Sequence, residues 1–477
     1  MHEPRLLTHR DARAVVCGVL LPVFMGSLDT TILASALPTI GRDLGNIHAL
    51  PWLITAYLIA STSVTPLYGK ISDIKGRRFT LALGITVYMA GSLVCALAPT
   101  MLVLILGRIL HGLGGGALTS LGMVVLGDVA APKDRGHYYA YYSLTFTTAG
   151  ACGPALGGFL ADHLHWSAIF WLNIPLGLTA LALTATLLRR LPRHEKPHRL
   201  DVAGALLIMT ASVSFMLALN LGGARLAWTS PTVLALLAVA ALIAGAFVVR
   251  LMTAPEPLIP IAILANPEAR LAITVNTFGW GSIIGLNIFL PIFLQSTMGV
   301  SPTNAGLSLM IVMVALNLSA GVAGQFYGRM QRYKSVPLAG LALAIAAVTI
   351  LAWQSGDITP WGFEVLVAAI GLGFGPVAPL STVVLQNSVA IHQFGTAVGT
   401  MNFTRNLFAT MLVAVFGAIV LAGTPAPDTG TLGAAFGSSE GFSRLFLTEA
   451  ACLTVSFLAL LALKEKPLQT SVAPAAE

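Results

Sequence analysis

The chain has 477 residues, of which 56% are hydrophobic and only 9% are charged, and its formal net charge is +7. Soluble domains carry about 25% charged residues, so this composition excludes a water-soluble globule. The basic residues lie in short segments between apolar runs rather than in one patch, which argues against a nucleic-acid partner and is typical of a multi-pass membrane protein.

Long apolar runs, such as residues 79–98 and 232–249, recur along the whole chain. A helix of about 20 apolar residues crosses the ~30 Å hydrocarbon core of a bilayer, whereas the strands of a membrane barrel would be short and alternating. The runs therefore predict an all-α integral membrane protein. We count fourteen transmembrane helices, at residues 14–37, 51–69, 79–98, 101–123, 138–160, 167–188, 202–222, 231–251, 271–294, 304–326, 335–353, 361–384, 399–422 and 443–463.

The first predicted span follows a basic segment that contains Arg5, Arg10 and Arg13. A cleaved secretory signal would begin in the same way, and the Ala-Ser-Ala sequence at 34–36 resembles its cleavage site. Asp29 interrupts the apolar stretch, and no soluble domain follows it. We therefore interpret the segment as an uncleaved first span.

Arg405 lies inside the thirteenth predicted span. Asp29 in the first span and Arg108 in the fourth are a further pair of ionisable residues inside spans. A charged side chain at the bilayer centre costs roughly 2.5–3.5 kcal/mol on insertion scales, so each residue needs a partner or a role. At a rise of 1.5 Å per residue, both lie ~10–13 Å below the same membrane boundary and could meet. We predict that they pair and that Asp29 carries protons. The alternative is a structural aspartate that only holds helices together.

His111 follows Arg108 by one helical turn, on the same face of the fourth span. Histidine titrates near neutral pH, so His111 is either a second proton site or a neutral hydrogen-bonding group beside the pair. The glycines at 112 and 114–116 mimic a phosphate-binding loop. Because no strand precedes them, we exclude a nucleotide site.

A charged segment at 69–78 follows the second predicted span. Arg77 could pair with Asp128 at the near end of the fourth span, while Asp73 bonds to a neighbouring helix end. We interpret these residues as a latch that gates one side of the protein. The alternative is that lysine and arginine here only orient the spans in the membrane.

Small residues mark the fifth predicted span, where Gly153 and Pro154 precede a pair of glycines at 157–158. Small side chains let helices approach closely, and proline permits a bend. The segment therefore predicts either a moving, gating helix or a helix that is only closely packed.

The basic residues are distributed very unevenly between the two sides of the predicted topology. With the N-terminus in the cytoplasm, 21 lysines and arginines lie on the inner side and 3 on the outer side. An even number of spans then places both termini in the cytoplasm. The largest basic loop, 189–199, contains His194, Glu195 and His198, but Pro197 breaks the helical spacing that a metal site would need. We interpret it as a linker and expect no metal.

This loop divides the chain into three predicted domains. Residues 1–190 form an N-terminal six-helix bundle, residues 191–265 hold the basic loop and two extra helices, and residues 266–477 form a C-terminal six-helix bundle. A weak repeat supports the division, because the segments 69–77 and 324–332 each follow the second span of a bundle.

Five stretches resemble the major facilitator superfamily, and specifically its fourteen-span drug:proton antiporter group: residues 28–38, 69–78, 108–114, 153–158 and 170–177. All lie in the first 180 residues, and His111 stands where the group usually has glutamine. The segment 402–408 resembles a further motif of the group, with Phe408 and Ala409 in place of glycines. The resemblance implies two pseudo-symmetric bundles that alternate access to a central cavity. It also implies export of small amphipathic or lipophilic molecules, driven by a proton gradient without a cofactor.

Isolated polar residues on probable lining helices are the candidates for the substrate cavity: Tyr57, Asn276, Asn287 and Asn317. Glu449 lies near the end of the last span and is expected to be structural. A proton-coupled importer of a metabolite is the alternative within transport. A membrane sensor or enzyme is the alternative outside it, but it would need a soluble domain or a catalytic constellation. We expect a transporter of the cytoplasmic membrane and not an enzyme.

Overall fold

The computed structural model describes residues 9–44, 49–129, 135–188, 200–222, 226–300, 302–327, 333–355, 358–390, 393–421 and 439–465. The predicted basic loop at 189–199, with its histidines, and the end of the weak repeat at 328–332 lie outside these ranges. The first half of the described chain contains α1 (His9–Leu44), α2 (Leu50–Lys75), α3 (Arg77–Ala96), α4 (Met101–Val129), α5 (Arg135–His163), α6 (Ala168–Leu187), α7 (Val202–Leu221) and α8 (Pro231–Thr253). The second half contains α9 (Ile261–Ala265), α10 (Pro267–Ser296), α11 (Pro302–Tyr327), α12 (Ser335–Trp353), α13 (Pro360–Phe374), α14 (Val377–Ser388), α15 (Phe394–Leu421) and α16 (Ser439–Ala462).

Twelve segments of the described chain are helical, long and apolar enough to cross a membrane. Each of the fourteen predicted ranges coincides with a helix, but α2 and α5 are not among these twelve. Both are long enough, at 26 and 29 residues, and both carry many polar side chains. α2 carries a series of hydroxyl side chains and α5 carries four tyrosines. The all-α membrane architecture is therefore confirmed, with twelve candidate spans among the described residues.

The twelfth predicted span, 361–384, is not one continuous helix. Gly375 and Pro376 separate α13 from α14. Proline has no N–H for the helical hydrogen-bond ladder, and a side chain on Gly375 would overlap Ser319 of α11. The break lets this span approach α11 closely.

The helices pack as two groups with the same pattern. In the N-terminal bundle, α1 packs on α5, α2 on α4, and α3 on α6. In the C-terminal bundle, the corresponding pairs are α10 with α15, α11 with α13, and α12 with α16. The two bundles meet mainly through α2 with α15 and through α5 with α11. α7 and α8 pack on each other, and α7 also contacts α2 and α15.

Each bundle has its own core. In the C-terminal bundle the ring of Phe293 lies 5.2 Å from that of Phe442 and 5.4 Å from that of Phe446, and all three side chains are fully buried. In the N-terminal bundle the glycine run of α4 serves packing. A side chain on Gly112 would overlap the α2 backbone, and one on Gly114 would overlap α3 at Tyr88. Glycine is thus required there so that α4 can lie between α2 and α3.

Candidate functional site

Asp29 of α1 and Arg108 of α4 form an ion pair inside the N-terminal bundle, where each side chain is only 1% exposed. Nη1 of Arg108 lies 2.8 Å from both Asp29 Oδ1 and Asp29 Oδ2. Nε of Arg108 donates to the carbonyl of Leu53 in α2 at 2.9 Å. The predicted contact is therefore present. Mutual pairing and this added hydrogen bond offset part of the desolvation cost of two buried charges.

His111 completes this cluster. Its Nδ1 lies 2.9 Å from Nη1 of Arg108, and because arginine can only donate, Nδ1 accepts. His111 therefore carries its proton on Nε2 and is neutral in this state. Nε2 itself is buried without a hydrogen-bond partner in the described chain. This arrangement favours the hydrogen-bonding interpretation over a charged histidine here, and a role as a second proton site stays a prediction.

Aromatic side chains enclose the cluster. The ring of Tyr57 lies 4.4 Å from the guanidinium carbon of Arg108, and the ring of Tyr88 lies 3.9 Å from that of His111. Phe170 of α6 closes another side, with its ring centroid 6.2 Å from that of His111. Sequence reasoning selected Tyr57 but missed Tyr88 and Phe170, because apolar and aromatic residues in a span give no signal of what they face.

The other three cavity candidates lie in the C-terminal bundle. Asn276 is 1% exposed and donates to Oγ of Ser381 in α14 at 2.8 Å, while its Oδ1 has no partner among the described residues. The amides of Asn287 and Asn317 each donate to a carbonyl of their own helix. The structure does not gather these asparagines into the Asp29 cluster, and their place in a substrate cavity stays a prediction.

The predicted latch residues are in contact. Nε of Arg77, at the start of α3, donates to Asp128 Oδ2 at the end of α4 at 2.7 Å. Nη1 of the same arginine donates to Asp73 and to Oγ of Ser72, both at the end of α2. One arginine therefore ties the ends of three helices together.

Asp73 also reaches across to the other bundle. Its Oδ1 accepts from the backbone N–H of Gly395 at 3.0 Å, and its Oδ2 accepts from N and Oγ1 of Thr396 at 2.7 and 2.6 Å. These donors belong to the first turn of α15, where unpaired N–H groups and the helix dipole favour a carboxylate. A side chain on Gly69 would overlap the Gly395 carbonyl, so the bundles are in backbone contact here. The helix-end contact predicted for Asp73 is present, and a gating role stays a prediction.

A cavity of about 170 Å³ lies beside the latch, and Lys70, Asp73 and Thr396 contribute to its wall. The segment between α8 and α9 supplies Glu256 and Pro257. The connection between the bundles therefore lies against the latch.

α5 packs closely on α1 at Gly153, where a side chain would overlap Oγ1 of Thr31. A side chain on Gly158 would meet open space. The side chain of Pro154 lies outside the described residues. Close packing at Gly153 is thus present, and a role of this helix in gating stays a prediction.

At the far end of α1, Asp43 accepts a hydrogen bond from Nε1 of Trp166 at 2.7 Å, and Nε2 of His165 lies 3.1 Å away. These contacts hold the pKa of Asp43 below its ordinary value of 3.8. The ionised carboxylate thereby ties α1 to the α5–α6 turn.

Two further ionisable residues inside helices, one fully buried and one partly buried, played no part in the predicted site. Glu449 in α16 is fully buried, and both of its carboxyl oxygens have no hydrogen-bond partner in the described chain. Arg405 in α15 stacks on Trp280 of α10, with 4.8 Å between the guanidinium carbon and the ring centroid. The sequence places both residues inside predicted spans, and an ionisable residue inside a span is costly and therefore a candidate for a functional role.

Comparison with known proteins agrees with this architecture. The sequence pattern of the Major Facilitator Superfamily matches residues 19–414. The chain is 30% identical over 406 residues to Multidrug transporter protein MdtP of Bacillus subtilis (strain 168), covering 85% of this chain and 75% of that protein. It is also 30% identical over 409 residues to Multidrug resistance protein 3 of the same organism, covering 86% and 80%. In fold it is similar to the MFS proton:xylose symporter XylE, with a TM-score of 0.64, 15% identity and coverage of 95% and 96%. The chain therefore belongs to the Major Facilitator Superfamily and is a multi-pass membrane transporter rather than an enzyme.

Proposed function

We propose that this chain exports small amphipathic or lipophilic molecules across the cytoplasmic membrane in exchange for protons, by alternating access between its two bundles. Relatives named as multidrug transporters support the substrate class. The observation that carries proton coupling is the fully enclosed ion pair of Asp29 and Arg108. The Asp29 carboxylate is buried, and its negative charge is stabilised by the charge of Arg108.

The topology belongs to the same proposal. α2 and α5 lie within the bundles beside membrane-spanning neighbours, and counting both as spans gives fourteen. Their hydroxyl and tyrosine side chains suit helices that pack between other helices. With fourteen spans and a cytoplasmic N-terminus, the 21 basic residues of the inner side are consistently placed.

Protonation of Asp29 supplies the driving step. The ionised carboxylate now accepts from Arg108, and a proton on it would leave the arginine buried without a counter-charge. Such an uncompensated charge costs several kcal/mol. The cost is relieved when α1 and α4 separate enough to admit water or substrate. Proton binding and helix movement are therefore coupled, and substrate competes for the same space.

α4 links this step to the latch. Asp128 lies twenty residues after Arg108 on the same helix, which corresponds to about 30 Å along its axis. A shift of α4 at the ion pair therefore reaches the contact between Asp128 and Arg77. In the proposed orientation this latch is cytoplasmic, so the structure corresponds to a state with its cytoplasmic side sealed.

The test is transport by purified protein in liposomes that contain a pH-sensitive dye, with ethidium as the probe. The wild-type protein should couple ethidium movement to proton flux in the opposite direction. Asp29→Asn should abolish proton-driven transport but retain equilibrium ethidium binding, because the amide cannot exchange a proton. Glu440→Gln is the matched control, since this exposed acid pairs with Arg444 at the protein surface. Normal proton-driven transport by Asp29→Asn would refute the mechanism.

A further inference from the structure

Arg405 carries a positive charge that no acidic side chain of the described chain offsets. Among the described residues it makes one hydrogen bond, from Nε to Asn406 Oδ1 at 3.4 Å, and the hydroxyl of Tyr142 lies close enough to interact with its charge. Arg108, the other arginine inside a span, is by contrast held by Asp29. Most N–H donors of Arg405 are therefore left for another acceptor.

The unpaired carboxyl of Glu449 is too far away to serve as this acceptor. Glu449 lies beside Gly285, which also adjoins the ring of Phe416 in α15. Arg405 precedes Phe416 by eleven residues in that helix, or about 16 Å along its axis. Arg405 and Glu449 are therefore at different levels of the bundle.

The surroundings of Arg405 combine polar and aromatic groups. Asn402, one turn earlier on α15, has a buried Oδ1 without a partner among the described residues. Trp280 lies against the guanidinium group, and one turn later on α15 the ring of Phe408 lies 4.5 Å from that of Phe278 in α10. A fixed cation thus stands beside an aromatic surface.

The site also lies between the two bundles. Tyr142 belongs to α5 of the N-terminal bundle, whereas Arg405 and Trp280 belong to the C-terminal bundle. The hydroxyl of Tyr142 donates to the Thr119 carbonyl of α4 at 3.3 Å. A ligand held here would contact both of the bodies that move in alternating access.

We propose that Arg405, with Tyr142 opposite, forms a subsite for the carboxylate of an amphipathic substrate whose aromatic body packs on Trp280 and Phe408. A guanidinium group binds a carboxylate through charge-assisted hydrogen bonds, which an aromatic ring behind it helps to orient. The inference rests on the proposed function, because it names a substrate class for the same central region.

The experiment measures binding of dansylglycine, an aromatic carboxylate, and of dansylglycinamide, its uncharged analogue, to purified protein in detergent. Wild-type protein should bind the acid more tightly than the amide. Arg405→Gln should weaken acid binding by about tenfold to a hundredfold, the range expected for loss of a charge-assisted hydrogen bond. Binding of the amide should change by less than about twofold. Arg405→Lys should retain most of the preference for the acid, and Arg444→Gln, which removes an exposed arginine, should change neither value.

A second variant covers the case in which Arg405→Gln does not fold. Asn402→Asp places a carboxylate one turn from Arg405, where it should pair with the guanidinium group and exclude dansylglycine but not the amide. Equal binding of acid and amide by the wild-type protein overturns the proposal. So does an equal loss of both ligands in the variants, which would mean a structural role.

A lipid is the other possible source of an anion. If dihexanoylphosphatidylglycerol binds in an Arg405-dependent way and dansylglycine does not, the proposal is overturned in favour of a lipid site. Because binding is measured without a pH gradient, the result is independent of proton coupling. A protein that binds dansylglycine through Arg405 but exchanges no protons refutes the proposed function and leaves the subsite intact.

Discussion

Replacing Asp73 with asparagine should open the latch. The carboxylate accepts three hydrogen bonds from Gly395 and Thr396 of α15 and also pairs with Arg77. Asparagine keeps one carbonyl oxygen, so it loses the ion pair and at least one bond to α15. A hydrogen bond to a charged group contributes about 1.5–3 kcal/mol. The balance between closed and open latch should therefore shift toward the open state by roughly 10- to 150-fold.

The assay uses a buried cysteine as a reporter of opening. Val398 of α15 packs with Val124 of α4 in a small buried cluster between the bundles, close to the latch. In a protein whose 4 native cysteines are replaced with serine, Val398→Cys should react with N-ethylmaleimide only when the latch opens. Adding Asp73→Asn should raise the labelling rate about tenfold or more. Transport should slow while substrate affinity changes little, because the latch is remote from the central ion pair.

Two controls separate latch opening from general loosening. Val367→Cys reports on the core of the C-terminal bundle, where the native side chain is 0% exposed, and its labelling should not change. Glu440→Gln removes an exposed acid and should leave both reporters unaffected. If Val398→Cys labels at the wild-type rate in folded Asp73→Asn protein, or if both reporters accelerate equally, the latch reasoning is wrong.

Three other perturbations test separate parts of the structure. Gly153→Ala should destabilise the protein by roughly 1–3 kcal/mol, because the new methyl group overlaps α1, whereas Gly158→Ala should be neutral or slightly stabilising; thermal unfolding of the purified variants compares them. The Trp166 hydrogen bond lowers the pKa of Asp43, so its stabilisation is present above pH 3.8 and is lost as the pH falls through the lowered pKa. The difference in melting temperature between wild type and Asp43→Asn should therefore shrink below that pH. Finally, a cysteine at Lys466 should resist external labelling in intact cells, since we expect a cytoplasmic C-terminus.

The helices could be predicted well from the sequence because a bilayer imposes one length and one polarity on every span. All fourteen predicted ranges coincide with helices. The break at Gly375 and Pro376 was not predicted, because it lies in an otherwise apolar run and depends on contact with α11. The packing role of the α4 glycines was not predicted either, because it depends on the contacts that α2 and α3 make with them.

Contacts in the site could be predicted only where the depth of a residue along its helix axis was enough to identify its partner. The rise along a helix gives depth, so the contact between Asp29 and Arg108 followed from counting residues. Which face of a helix meets which neighbour depends on the tertiary packing. Asn287 and Asn317 were selected as isolated polar groups; each donates to a carbonyl of its own helix, and their place in a cavity stays a prediction. Arg405 was visible as a cation inside a span, but nothing in its own segment revealed that no acid of the described chain pairs with it.

The charges of the central region give a last prediction, that divalent cations are poor substrates and that neutral or singly charged lipophilic compounds are better ones. The charge of Asp29 is already offset by Arg108, and Arg405 adds a further positive charge without an acid beside it. A dication in this low-dielectric region would therefore meet net repulsion and would be desolvated without compensation. A competition series of monovalent and divalent analogues on purified protein measures this discrimination. If the divalent members compete equally well, a further acid must face the cavity. Glu449, whose two carboxyl oxygens lack partners in the described chain, is then the first residue to replace with glutamine.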